Sequence, residues 1–181
     1  MNKREKVMVW RKRALILAGL IVISFVLIQI IPMGAFFDSL KRDENPPVEF
    51  TIQWDSTETE ALLRTACYDC HSNETVWPWY SYIAPVSWLV VYDVNTGRGH
   101  LNFSQDNFID GSLVDFLNDI EWHTENNMPP RKYLLLHPEA NLTNEQRSQL
   151  VAGVRSTITA LVEDEQLSEY QAENSGTGGM N

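Results

Sequence analysis

Cys67-Tyr68-Asp69-Cys70-His71 holds the only two cysteines of the chain, and no other stretch constrains the fold as much. Thiols three positions apart lie on neighbouring turns of one helix. The pattern Cys-x-x-Cys-His is the attachment site of a c-type haem. Two thiols add to the two vinyl groups on one porphyrin edge, and the following imidazole is carried under the ring as the proximal iron ligand. Three plainer readings compete. A thioredoxin-like dithiol calls for a preceding strand and a βαβ pattern, and neither is visible. A structural zinc needs four ligands, so Cys67 and Cys70 would recruit two of His71, His100, His123 and His137 without any paired histidine spacing. The third is a structural disulfide. One covalent haem c, with His71 on the iron, accounts for all three residues at once.

The amino terminus sets where such a group would sit. Lys3, Arg4, Lys6, Arg11, Lys12 and Arg13 precede an apolar run from Ala14 to Ile31, interrupted by Ser24 and Gln29. At 1.5 Å per residue such a run spans about 27 Å, close to the thickness of a bilayer core. Six basic residues before the run, against Lys41 and Arg42 after it, predict an amino terminus in the cytoplasm and the rest outside. A cleaved signal peptide is the alternative, but residues 31–37 offer a poor small-x-small site. The expected organisation is a cytoplasmic basic segment (1–13), a transmembrane signal-anchor helix (14–36) and a linker stiffened by Pro46 and Pro47 (37–49). A haem-binding domain (50–162) and a disordered acidic Gly/Ser tail (163–181) follow. In a bacterium this is a single-pass inner-membrane protein with its haem domain in the periplasm, where thiols without haem would tend to oxidise.

Charge divides at the same place. Residues 1–13 carry six basic and one acidic side chain, and the remainder eight basic and 23 acidic, within a net charge of −10. An acidic domain repels nucleic acid and anionic lipid, and it could steer towards basic patches on a redox partner in or near the membrane.

Within the domain the periodicities are helical and no alternating run competes. Thr57 and Glu60 read as a capping box opening a helix through Ala61, Leu62 and Ala66 into the pentad. Trp77-Pro78-Trp79-Tyr80 is too rich in proline and aromatics for regular helix. Pro85 suits a helix start, with Val86, Leu89, Val90 and Val94 at helical spacing and Gly97 and Gly99 as stops. Ser112 and Asp115 open a third helix with Leu113, Phe116, Leu117 and Ile120 on one face. Thr143 and Gln146 cap a fourth carrying Leu150, Val154, Ile158 and Leu161. The fold expected is mostly α, four short helices behind one transmembrane helix. So small a domain would use a porphyrin as part of its core.

Two further groups of residues bear on the iron. Met128-Pro129-Pro130 puts a thioether on a rigid, non-helical loop, which makes Met128 the first candidate for the sixth ligand. His100, His123 and His137 compete, as does an open or water-bound position. Trp77 and Trp79, with Tyr80, Tyr82 and Trp88, could pack on a haem edge and exclude water, or could equally be ordinary core aromatics.

Several stretches resemble the bacterial haem-binding domain family. They are Ala66-Cys67-Tyr68-Asp69-Cys70-His71-Ser72-Asn73-Glu74-Thr75 with Trp77-Pro78-Trp79-Tyr80, and Ile83-Ala84-Pro85-Val86-Ser87-Trp88. Gly97-Arg98 with His100-Leu101-Asn102-Phe103-Ser104, Met128-Pro129-Pro130 and His137-Pro138-Glu139-Ala140 complete the set. The similarity covers residues 50 to 160 and implies a small, membrane-anchored, monohaem c-type-cytochrome-like domain with a redox role. It names no substrate.

Two functional classes follow. One is an electron carrier whose haem meets membrane partners. The other is a haem-based ligand-binding or redox-sensing module with a labile sixth ligand. Catalysis by the chain itself has thin support, since there is no Ser/His/Asp spacing, Gly-rich phosphate loop or His-Glu-x-x-His motif.

Overall fold

The computed structural model describes residues 3–42, 44–106 and 113–176. Its helices are α1 (Lys3–Gln29), α2 (Thr57–Ala66), α3 (Tyr68–His71), α4 (Val86–His100), α5 (Leu113–Asn126), α6 (Arg131–Leu134) and α7 (Asn144–Gly176). Four short 3-10 turns lie between them, and no strand occurs among the described residues. The mostly helical class is therefore as the sequence predicts. Two compact units divide the chain: Met1–Glu44 with Trp77–Thr96, and Asn45–Val76 with Gly97–Asn181.

The first unit is built on α1, of which Val7–Gln29 is long and apolar enough to cross a membrane. The helix ends at Gln29, three residues before Pro32, rather than running to residue 36 as expected. Met33–Ala35 and Asp38–Leu40 continue as single 3-10 turns. Gln29, the polar interruption in the apolar run, makes a reciprocal amide pair with the backbone of Ala84. Its Nε2 donates to the Ala84 carbonyl at 3.0 Å and its Oε1 accepts the Ala84 N–H at 2.9 Å. The face that α4 buries differs from the sequence reading. Val91 and Val94 are buried, whereas Val86 and Leu89 are exposed. Residues 88–92 are apolar on every side, so periodicity cannot choose a face.

The second unit holds the main core: Ile52, Leu63, Tyr68, Phe103, Leu117, Leu142, Leu150, Val154 and Ile158. Leu150, Val154 and Ile158 form the expected stripe of α7, which packs on both α2 and α5. The α7 cap is the predicted box. The Gln146 N–H donates to Thr143 Oγ1 (3.2 Å) and the Thr143 N–H to Gln146 Oε1 (2.9 Å). The α2 cap sits one residue earlier than predicted, because Ser56 Oγ accepts the Thr59 N–H at 3.1 Å. Ser and Thr at adjacent positions are equivalent caps by composition, and backbone direction decides between them. Leu117 of α5 is buried as expected; Ser112, the predicted opener of that helix, lies outside the described residues. Helical backbone continues to Gly176, past Glu163 where the sequence places the start of an unstructured tail. Glu, Gln, Leu and Ala there are good helix formers with no proline, and low apolar content does not separate a solvated helix from coil.

Candidate functional site

The pentad begins where α2 ends. Cys67, at φ −126° and ψ −41°, closes α2 and opens the single turn α3. Its N–H donates to Leu63 O (2.8 Å), and its own carbonyl accepts from Cys70 N–H (3.1 Å) and His71 N–H (2.9 Å). The two cysteines thus sit one turn apart, both half-buried and with no disulfide between them. Burial pushes the Cys67 thiol up to about 12, with Arg147 opposing. Among the described residues no group of three His, Cys, Asp or Glu side chains converges on a point.

His71 is held in one orientation by backbone. Its Nδ1 lies 3.0 Å from the Leu101 carbonyl, which can only accept, so Nδ1 carries the proton and the lone pair is on Nε2. Burial holds the imidazole below its ordinary pKa, against the pull of the Leu101 and Gly97 backbone, and so favours the neutral ring. A neutral imidazole with one nitrogen fixed by a carbonyl is the usual state of a ligating histidine.

Gly97 explains how close the next element comes. A β-carbon there would overlap the Cys70 carbonyl oxygen and lie 3.0 Å from both Cys70 C and Cys70 Cβ. Gly97 and Gly99 therefore do not stop α4, which runs through both to His100. Beyond it, Phe103 N–H donates to the His71 carbonyl (2.9 Å) and Asn73 N–H to Ser104 Oγ (2.9 Å). Arg98 Nε donates to Ser72 O (2.8 Å), and Asn102 Nδ2 to Asn73 Oδ1 (2.8 Å). These bonds make residues 72–75 and 97–104 one polar clamp around the pentad. Sequence reasoning missed this role for Leu101, Asn102 and Ser104.

Met128 sits in the turn between α5 and α6, half-buried, with Pro129 buried beside it. Its N–H donates to His123 O (2.8 Å), and its carbonyl accepts from Arg147 Nη1 (2.8 Å), which also bonds Thr124 O. The same guanidinium acts electrostatically on Cys67, so α7 braces the methionine loop beside the pentad. A second tie is direct. Tyr133 Oη, from α6, donates to Asp69 Oδ2 at 2.8 Å, and Asp69 Oδ1 accepts the Val76 N–H at 2.9 Å. Asp69 and Tyr133, unmarked by any motif, thus join the turn between the cysteines to the Met-Pro-Pro segment.

The competing histidines have other neighbours. His123 Nδ1 lies 2.8 Å from Asn127 Oδ1, and its Nε2 lies 3.5 Å from Asp119 Oδ1. His137 stacks on Tyr133 (centroids 4.2 Å apart) and pairs with Glu139 at 3.0 Å. His100 is exposed at the end of α4. Trp77 and Trp79 belong to the first compact unit. Trp77 stacks with the Arg42 guanidinium, 4.2 Å from its ring centre, and Trp79 is exposed, edge-on to Tyr80.

A haem fits this donor set: one imidazole whose Nδ1 faces the Leu101 carbonyl, and two thiols one turn apart. The profile of a family described as haem-binding domain matches residues 23–156. The chain belongs to that family, and its cofactor is haem. Cytochrome c peroxidase Ccp of Escherichia coli (strain K12) is 27% identical over 142 residues, 74% of this chain and 28% of that relative. The chain thus spans little more than a quarter of that protein's length. No solved structure matches it.

Proposed function

We propose that this haem-binding-domain protein is a membrane-anchored, periplasmic, monohaem c-type electron carrier, with Cys67 and Cys70 as attachment sites, His71 as proximal ligand and Met128 as the sixth. The observation that carries the reading is the pentad with His71 held in its ligating tautomer by Leu101. Attachment is redox-neutral. Each S–H adds across a vinyl double bond, forming a sulfur–carbon bond while the hydrogen passes to the neighbouring carbon. Bound at this site, haem supplies a one-electron iron couple. The chain's own contribution is to hold the donors. The Leu101 carbonyl fixes the imidazole plane and raises its basicity, and Arg147 and His123 fix the methionine backbone on both sides. The acidic outer chain favours a basic redox partner over nucleic acid. A relative named for peroxidase activity favours a second reading, in which the sixth position opens to an exogenous ligand.

Denatured protein from a host with cytochrome c maturation is expected to stain for haem on a gel, and Cys70→Ser to weaken or abolish the stain. Isolation with stoichiometric zinc and no haem would sink the proposal. For sidedness, the charge asymmetry across α1 predicts that a reporter fused after Asn181 is active only if it works after export. Activity of a strictly cytoplasmic reporter at that site would reverse the orientation.

A further inference from the structure

The first compact unit contains a cavity of about 250 Å³ that the haem reading does not use. Met33, Leu40, Trp88 and Val91 give it apolar walls, and Arg42 and Ser87 give it polar ones. Its level relative to a bilayer follows from α1. Val7–Gln29 is 23 residues, and at 1.5 Å each it spans about 34 Å against a hydrocarbon core of about 30 Å. Met33 comes four residues later, in the first 3-10 turn, which puts the cavity wall in the headgroup layer. The Gln29–Ala84 amide pair ties the segment before α4 to the end of that helix. Phe36, Phe37, Trp79 and Tyr82 of the same unit are all more than half exposed, as aromatics at a membrane interface are.

Arg42 supplies the chemistry. Its guanidinium lies 4.2 Å from the Trp77 ring centre and 3.8 Å from that of Tyr82, and Nη1 donates to the Ser81 carbonyl at 2.8 Å. A guanidinium donates in its plane, so ring contacts on its faces leave the edge available for an oxyanion. The chain after residue 13 is acidic as a whole, with 23 acidic against eight basic side chains, and repels an anionic surface. Arg42, half-buried and next to the exposed Lys41, is the local exception. We infer that this cavity binds the phosphate of an anionic phospholipid headgroup, with Arg42 as its partner and the acyl chains lying along the apolar exit of α1. The inference rests on the membrane-anchored reading.

The test uses the full-length holoprotein reconstituted in bilayers of phosphatidylcholine containing a minor share of phosphatidylglycerol. Lipids retained after mild detergent release are counted by native mass spectrometry. Phosphatidylglycerol should be retained about tenfold above its bulk share, the ratio that one charge-assisted pair supplies. Arg42→Gln should bring retention to the bulk ratio with the haem spectrum intact. Arg42→Lys, which keeps the charge and loses the fork, should fall between, and this second variant serves if the first does not fold. Embedded protein with no preference overturns the inference alone. Protein left in the aqueous phase overturns the anchor and the inference together. A retained quinone in place of the lipid, or full displacement by millimolar inorganic phosphate, also overturns it, by assigning the cavity to a redox carrier or to free anions.

Discussion

Gly97→Ala is expected to destabilise the haem domain by roughly 1–3 kcal/mol, while Gly99→Ala, two residues along the same helix, should be neutral or stabilising by up to about 1 kcal/mol. The contrast comes from what each new methyl meets. At Gly97 it would overlap the Cys70 carbonyl oxygen and press on Cys70 C and Cβ, whereas at Gly99 nothing lies within 4 Å. The atoms facing Gly97 are mostly backbone of the pentad, so they can yield only if α3 moves. That displacement would shift Cys70 and loosen the Arg98 bond to Ser72 and the Nδ1 bond of His71 to Leu101. Lower yield of attached haem should therefore accompany the lower melting temperature. At Gly99 the only change is the gain in helix propensity from glycine to alanine. Equal melting temperatures and haem yields for the two variants would mean that α4 does not pack against the pentad.

The same position shows where sequence reading stops. Glycine near the end of an apolar helical stretch has a local signature for a C-terminus, and Gly97 was expected to end α4 on that ground. Its actual neighbour is Cys70, 27 positions earlier in the chain, and no local pattern encodes such an approach. What depends on neighbours in sequence was legible: the pentad, the Thr143–Gln146 box, and the stripe Leu150–Val154–Ile158. The site's second ring of partners was not. The Leu101 carbonyl that sets the His71 tautomer is backbone, and any residue type could supply it. Asp69 and Tyr133 meet across 64 positions, and Arg147 reaches the Met128 carbonyl from another helix. The apolar face of α4 was misjudged because residues 88–92 are apolar on every side, so periodicity offers no choice between Val91, which is buried, and Leu89, which is exposed.

Met128→Ala is expected to change the iron chemistry more than any other side-chain removal outside the pentad. An internal thioether that occupies the sixth position nearly all the time lowers the apparent affinity for an external ligand by the fraction of time the position is open. Removing it should strengthen carbon monoxide binding to the reduced protein by about 10–100-fold. The weak red absorption band of thioether-bound ferric haem should disappear and the reduction potential should fall. Backbone bonds from Met128 to His123 and Arg147 survive the substitution, so the loop should stay folded and the loss should be local to the iron. The histidines differ in their readiness to replace the thioether. His123 would have to leave Asn127 and Asp119, and His137 its stack on Tyr133, whereas His100 is exposed at the end of α4. A bis-histidine spectrum in Met128→Ala that His100→Ala then abolishes would identify His100 as the substitute ligand. Suppose instead that the native protein already binds carbon monoxide and that Met128→Ala leaves affinity, red band and potential unchanged. Met128 would then be a packing residue, and ligand sensing would displace electron transfer as the function of this domain.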